Sequence, residues 1–243
     1  MPLSPDQMIK SHGSEYPDAV VFNGVRMPLV REGRFQRVYE NSELKRGTVV
    51  SRFMDGTAEI TLSELQELWP TWTWIERHDF TNATRWLHEH AEFPEILRYM
   101  LDHGNTKDFC AIALSVSKGL PKDEAFARLS NILDQIPIDR SVNITQAIAH
   151  TKHPDALDRL REHLPKILSD PRLMEPADSC HEVTYAAACC IEHLILLNAP
   201  PDEFETHVRQ LNDHSSARLL DWVRRRLSKY YPWLGEPEPL PTF

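Results

Sequence analysis

The residues best able to do chemistry in this chain are its twelve histidines and four cysteines. His150 and His153 stand three apart with Asp155 and Asp158 close behind, and Cys180-His181-Glu182 forms a second local cluster. A helical zinc site needs two ligands one turn apart, a third ligand, and commonly a carboxylate behind them. His150 and His153 fall at a helix end beside Pro154, and the sequence has no H-E-x-x-H, so capping and solvent-facing roles are expected and no metal or other cofactor is implied. Cys189 and Cys190 lie among alanines, a context that raises thiol pKa and suppresses nucleophilicity. All four cysteines, Cys110 and Cys180 included, sit in segments of helical pattern and read as free thiols rather than a disulfide framework. There is no G-x-S-x-G elbow and no Gly-rich phosphate loop. Carboxylate pairs such as Asp155 with Asp158 and Glu203 with Glu205 are what an acidic helix face produces without any catalytic role.

Charge is more informative than any of these motifs. The formal net charge is −9, unevenly spread. Residues 26–52 carry seven Lys/Arg against three acids, residues 82–215 carry thirteen against twenty-one, and residues 216–231 five against one. Phosphate binding needs a connected positive surface, so an acidic middle disfavours nucleic acid and favours a basic protein as partner. Asp155, Asp158, Glu162, Glu182 and Glu203 are the acids expected to meet it. Half of the six tryptophans, Trp69, Trp72 and Trp74, crowd into a proline-interrupted connector that one helical face cannot bury. They serve either to pack a β cap on the first helices or to anchor a partner, since interface energy concentrates in such residues.

The elements that must position these residues are mostly helices. The first 18 residues are polar and read as a flexible segment. Ala19–Phe22, Asn23-Gly24 and Val25–Pro28 have the form of a hairpin, with further strands expected over 34–39 and 47–54 before Asp55-Gly56 turns the chain toward 57–60, a β element of three or four strands over 19–60. Thr61-Leu-Ser-Glu64 has the pattern of a capping box opening a helix that Pro70 ends. From Asn82, read as a cap, short amphipathic helices follow one another to Tyr231, cut by Gly104, Gly119, Pro137, Pro154 and Pro200-Pro201. Pro165 should kink or end its helix. The expected organisation is a flexible segment at 1–18, a small β cap with a short helix and Trp-rich connector at 19–81, a helical domain at 82–231, and a Pro-rich tail at 232–243.

Helix pairs beginning near 82, 106, 140 and 179 are short of a helix-pair repeat in the first interval and match it in the later two, at 34 and 39 residues, and a two-helix unit covers its apolar stripe only by stacking on neighbours. The segment 82–231 resembles a HEAT-type α-solenoid. Pro154–Leu211 carries the likeness best, and Tyr185-Ala-Ala-Ala-Cys-Cys-Ile191 with its proline-started partner helix is similar to a degenerate HEAT unit. The internal Asp and Arg of the usual consensus are not evident, and an irregular helical bundle is the alternative packing. The expected fold is therefore mainly α, with irregular HEAT-like antiparallel pairs behind a β-containing N-terminal cap. Some solenoids of this kind resemble DNA glycosylases with a basic concave groove, a reading that would use Trp86, Trp222 and Arg224-Arg-Arg226. The negative middle argues against it, and a C-terminal Arg cluster also suits a helix macrodipole. The favoured reading is a non-enzymatic protein-binding module. In charge and architecture it is also similar to bacterial immunity proteins that cover a toxin; a scaffold or assembly factor differs only in partner. No apolar run reaches membrane-span length and the N-terminus lacks signal-peptide form, so no membrane partner and a cytoplasmic location are expected.

Overall fold

The computed structural model describes residues 19–22, 25–43, 46–53, 58–84, 87–88, 90–174, 181–214 and 217–237. The chain is mainly helical, with a small antiparallel sheet near its N-terminus, and divides into two compact units that meet between His103 and Gly104.

In the first unit, strands β1 (Ala19–Phe22), β2 (Val25–Glu32), β3 (Gln36–Asn41) and β4 (Arg46–Ser51) pair in sequence order, each antiparallel to the next. Phe22 pairs with Val25, the register of a two-residue hairpin. A bulge between Leu29 and Arg31 leaves Val30 exposed. Residues 58–60, the end of the expected β element, lie outside the sheet. Among the described residues the unit also has the helices α1 (Leu62–Leu68), α2 (Trp74–Ala83) and α3 (Phe93–His103). Thr61 caps α1 by accepting from the backbone N–H of Glu64, but the Glu64 carboxylate turns to Arg34 instead of closing the box. A complete capping box is at Thr73 and Glu76, where each side chain satisfies the other's backbone donor. That box starts α2 eight residues before Asn82. Asn82 is thus in the last turn of a helix rather than at a new beginning, a correction whose signal, T-x-x-E, was present in the sequence.

Asp79 ties α2 to the sheet. It accepts from both terminal nitrogens of Arg31 (2.6 and 3.1 Å) and from the Gln36 amide (2.6 Å). Gly33 makes room for this, because a Cβ there would come within 3.2 Å of the Asp79 carboxylate.

The second unit holds α4 (Thr106–Gly119), α5 (Lys122–Gln135), α6 (Val142–Thr151), α7 (Ala156–Leu168), α8 (His181–Leu196), α9 (Glu205–His214) and α10 (Ala217–Leu227). Alternate helices pack together: α4 on α6, α6 on α8, α8 on α10. The helices between them, α5 and α7, pack against members of that row, and Arg159 and Lys166 of α7 reach Ser130 and Asp134 of α5. The first row begins its helices at Thr106, Val142, His181 and Ala217, 36 to 39 residues apart. A short motif recurs at that spacing: Ala111-Ile-Ala113, Ala147-Ile-Ala149 and Ala186-Ala-Ala188. Ala113, Ala147, Ala186, Ala187 and Ala188 are all buried in the row's helices. In α10 the equivalent place holds Trp222, partly exposed, with buried Val223 beside it.

Proline marks the boundaries as expected, with one difference. Pro165 lies inside α7, which continues to Leu168. The cost is local, since Pro165 has no N–H to give the carbonyl of Arg161.

Candidate protein-binding surface

Helix α7 places its acids by simple periodicity. Its buried stripe is Ala156, Leu160, His163, Leu164 and Ile167, which leaves Asp155, Asp158 and Glu162 on the solvent side, their side chains more than 70% exposed. Neighbouring elements add to this ridge. Asp123 and Asp134 come from α5, and Glu203 from the short turn Pro201–Phe204.

Three cations are woven through the ridge. Arg159 holds Asp134 at 2.8 Å and lies 3.7 Å from Glu162; Lys166 also reaches Asp134, at 3.2 Å. Arg161 grips Glu203 through two nitrogens, at 2.9 and 2.7 Å, and lies 3.5 Å from Asp158. The hydrogen bond from Arg159 holds the Asp134 carboxyl below the ordinary carboxylate range, with Lys166 reinforcing it. Exposed pairs of this kind add little to stability, since solvent screens them. Their chief consequence is electrostatic: residues 122–135, 155–168 and 201–204 together carry eight carboxylates against five Lys/Arg, and the surface stays net negative. Glu182, the remaining predicted acid, is exposed in the first turn of α8 and belongs to the other helix row.

The three tryptophans separate. Trp69 (2% exposed) and Trp72 (9%) pack with Phe35 and Phe80 into an aromatic core, with ring centroids 4.9 Å apart for Phe35–Phe80 and 5.3 Å for Trp72–Phe80. Trp69 also donates its indole N–H to the carbonyl of His103, at 3.2 Å. Burial withdraws both from the surface. Trp74, at 54% exposed, stacks on His78 and is the member of the trio that faces solvent.

The other chemical candidates have ordinary explanations. His153 lies flat on Phe126, ring centroids 4.0 Å apart, and its Nδ1 accepts from the backbone N–H of Asp155. Burial, then Lys118 and Lys152, push the His150 pKa down. Among the described residues no three His, Cys, Asp or Glu side chains come together as a metal site would require. Cys180 and Trp86 lie outside the described residues. Burial raises the Cys189 thiol to about 11 and the Cys190 thiol to about 12, leaving neither a thiolate at neutral pH. In the Arg224–Arg226 run each guanidinium is engaged within the unit: Arg224 on the carbonyl of Leu234, Arg225 on Asp221, Arg226 on Glu192 and Tyr185. Among the described residues no helix is long and apolar enough to cross a membrane.

One polar cluster was not foreseen. Glu192 is buried in α8 and receives Arg226 at 3.0 Å and Lys229 at 2.9 Å, while Arg226 also donates to the Tyr185 hydroxyl. Trp222 closes edge-on against Tyr185, with centroids 5.4 Å apart. The available signal was Glu192-His193 interrupting an otherwise apolar run from Ala186 to Leu197. The cluster staples α10 to α8 and presents no open reactive group.

Against known proteins the chain matches no family model, no curated protein and no solved structure.

Proposed function

We propose that this chain is a non-enzymatic protein-binding module whose acidic ridge on α5, α7 and the Pro201–Phe204 turn receives a basic partner. The observation that carries the reading is the excess of eight carboxylates over five Lys/Arg across residues 122–135, 155–168 and 201–204. Such a surface steers an oppositely charged protein and rejects phosphate backbones. The helices of the second unit are read as irregular HEAT-like pairs, supported by alternate-helix packing and by starts 36 to 39 residues apart. In its narrower form the partner is a basic toxin that this chain, as an immunity protein, covers and silences; charge and helical architecture are its support.

The test is affinity capture from the native source with the intact chain and with a variant carrying Asp155→Asn, Asp158→Asn, Glu162→Gln and Glu203→Gln. A basic protein retained by the first, lost by the second and released by raised salt is expected. Capture indifferent to these four changes would overturn the reading, as would salt-dependent binding to duplex DNA in place of protein.

A further inference from the structure

We propose that His163 is an acid-operated latch on α7: its protonation parts α7 from α5 while the row α4, α6, α8 and α10 stays folded. The latch goes beyond the binding reading above and stands without it; only its consequence for a partner, loss of the ridge in acid, rests on that reading. His163 is 3% exposed, and neither ring nitrogen has a hydrogen-bond partner. Arg159 stands four residues before it and Lys166 three after, so both share its side of the helix. These two cations make bonds that join α7 to α5. Arg159 reaches Asp134 at 2.8 Å and the carbonyl of Ser130 at 3.0 Å, and Lys166 reaches Asp134 at 3.2 Å. Asp134 is also the carboxylate that favours a charged His163, and both cations already share it. A proton on the ring therefore adds a third positive charge to the seam and brings no new anion to it.

The remaining charges around α7 are committed elsewhere. On α5, Glu124 pairs with Arg128, Asp123 lies beside His153, and Lys122 is exposed at the helix start. On α7 itself Arg161 takes Asp158 and, across the chain, Glu203, while Glu162 lies beside Arg159 on the solvent side. Helix α8 brings the neutral thiol of Cys190 to the carbonyl of Leu160, and sends Glu192 to Arg226 and His193 to Thr145 of α6. His150, the one titratable side chain of α6, answers to Lys118 and Lys152. Two features make α7 the part that yields. Pro165, two residues past the ring, gives no N–H to the helix ladder. Helices α6 and α8 also pack directly on each other, so their contact survives the departure of α7.

The experiment is hydrogen–deuterium exchange by mass spectrometry on the full chain at pH 7 and pH 5, corrected for the intrinsic pH dependence of exchange. A ring that titrates at 6.5 when released and at about 4 when buried raises the open population of α7 about twentyfold between those pH values. Protection over 156–168 is expected to fall by that factor, and protection over α4 to fall less. His163→Leu is expected to hold the protection of α7 constant between the two pH values. His163→Gln takes its place should the leucine variant fail to fold by circular dichroism. Loss over 156–168 that neither variant suppresses overturns the latch. Equal loss over α4 and α7, the mark of global unfolding, overturns it as well, as does protection of α7 that does not change with pH. None of these outcomes touches the binding reading, which the affinity capture decides.

Discussion

Thr145 of α6 and His193 of α8 share a buried hydrogen bond of 3.1 Å between neighbouring helices of one row. Thr145 Oγ1 also reaches the carbonyl of Val142 at 2.9 Å. Burial, more than any nearby charge, lowers the His193 pKa to about 4. His163, buried in α7 with neither ring nitrogen partnered, is lowered to about 4 by burial, with Arg159 and Lys166 adding to the effect.

Both histidines set an acid limit on stability. Their unfolded-state pKa is 6.5, so between pH 6.5 and 4 the unfolded chain binds more protons than the folded one, and stability falls as pH falls. Each contributes up to about 3 kcal/mol to that loss. The depressed carboxyls of Asp134 and Asp170 act in the same direction but only below their ordinary 3.8, so the upper window belongs to the histidines. Urea denaturation at pH 7 and pH 4.5 should show a lower midpoint at pH 4.5; equal midpoints would remove the assignment.

Replacing His163 by Leu removes two unpartnered buried nitrogens from a mostly apolar stripe. The variant is expected to gain about 1 kcal/mol at pH 7, and more at pH 5, where the wild-type ring resists protonation. Loss of stability at neutral pH would mean that His163 is satisfied by a partner after all.

The aromatic core and the exposed ring next to it should behave oppositely. Trp72→Ala is expected to cost about 3–5 kcal/mol as a core truncation. Trp74→Ala should stay within about 0.5 kcal/mol. Thermal or chemical unfolding of the two variants decides this directly, and a stable Trp72→Ala protein would contradict the packing described.

At the alanine row, Ala187 is fully buried in α8. Ala187→Leu is expected to destabilise by about 1–3 kcal/mol through overpacking, whereas Ala127→Leu on the exposed side of α5 should be nearly neutral. Comparable unfolding midpoints for the two variants would show that the row's helices are not held as closely as the repeated small residues imply.

Arg226 serves Glu192 and Tyr185 together, while Lys229 serves Glu192 from a more exposed position. Arg226→Ala should cost about 1–3 kcal/mol, because it leaves a buried carboxylate short of a donor. Lys229→Ala should cost under about 1 kcal/mol. The reverse ranking in denaturant titrations would misplace the anchor of α10.

Much of the local structure was written in the sequence. Glycine and proline punctuation and the 3.6-residue apolar stripes located the helices from Phe93 onward, and the Asn23-Gly24 signal placed the first two strands. The α7 acids were also legible, since Asp155, Asp158 and Glu162 follow from the same stripe that buries Leu160 and Leu164. The helix over Trp74–Ala83 was missed although Thr73 and Glu76 announce it, because crowded tryptophans read as irregular connector. The recurrence of Ala111-Ile-Ala113 in α6 and α8 was present as well, but three residues of a common type stand out only once the helices are seen side by side. What the tertiary structure alone decided is which of equivalent residues are hidden. Trp69 and Trp72 differ from Trp74, and Glu192 from Glu182, through what packs over them. Periodicity assigns a side chain to a face of its own helix, while burial and ion pairing depend on neighbours 30 to 40 residues away, whose approach no local pattern encodes.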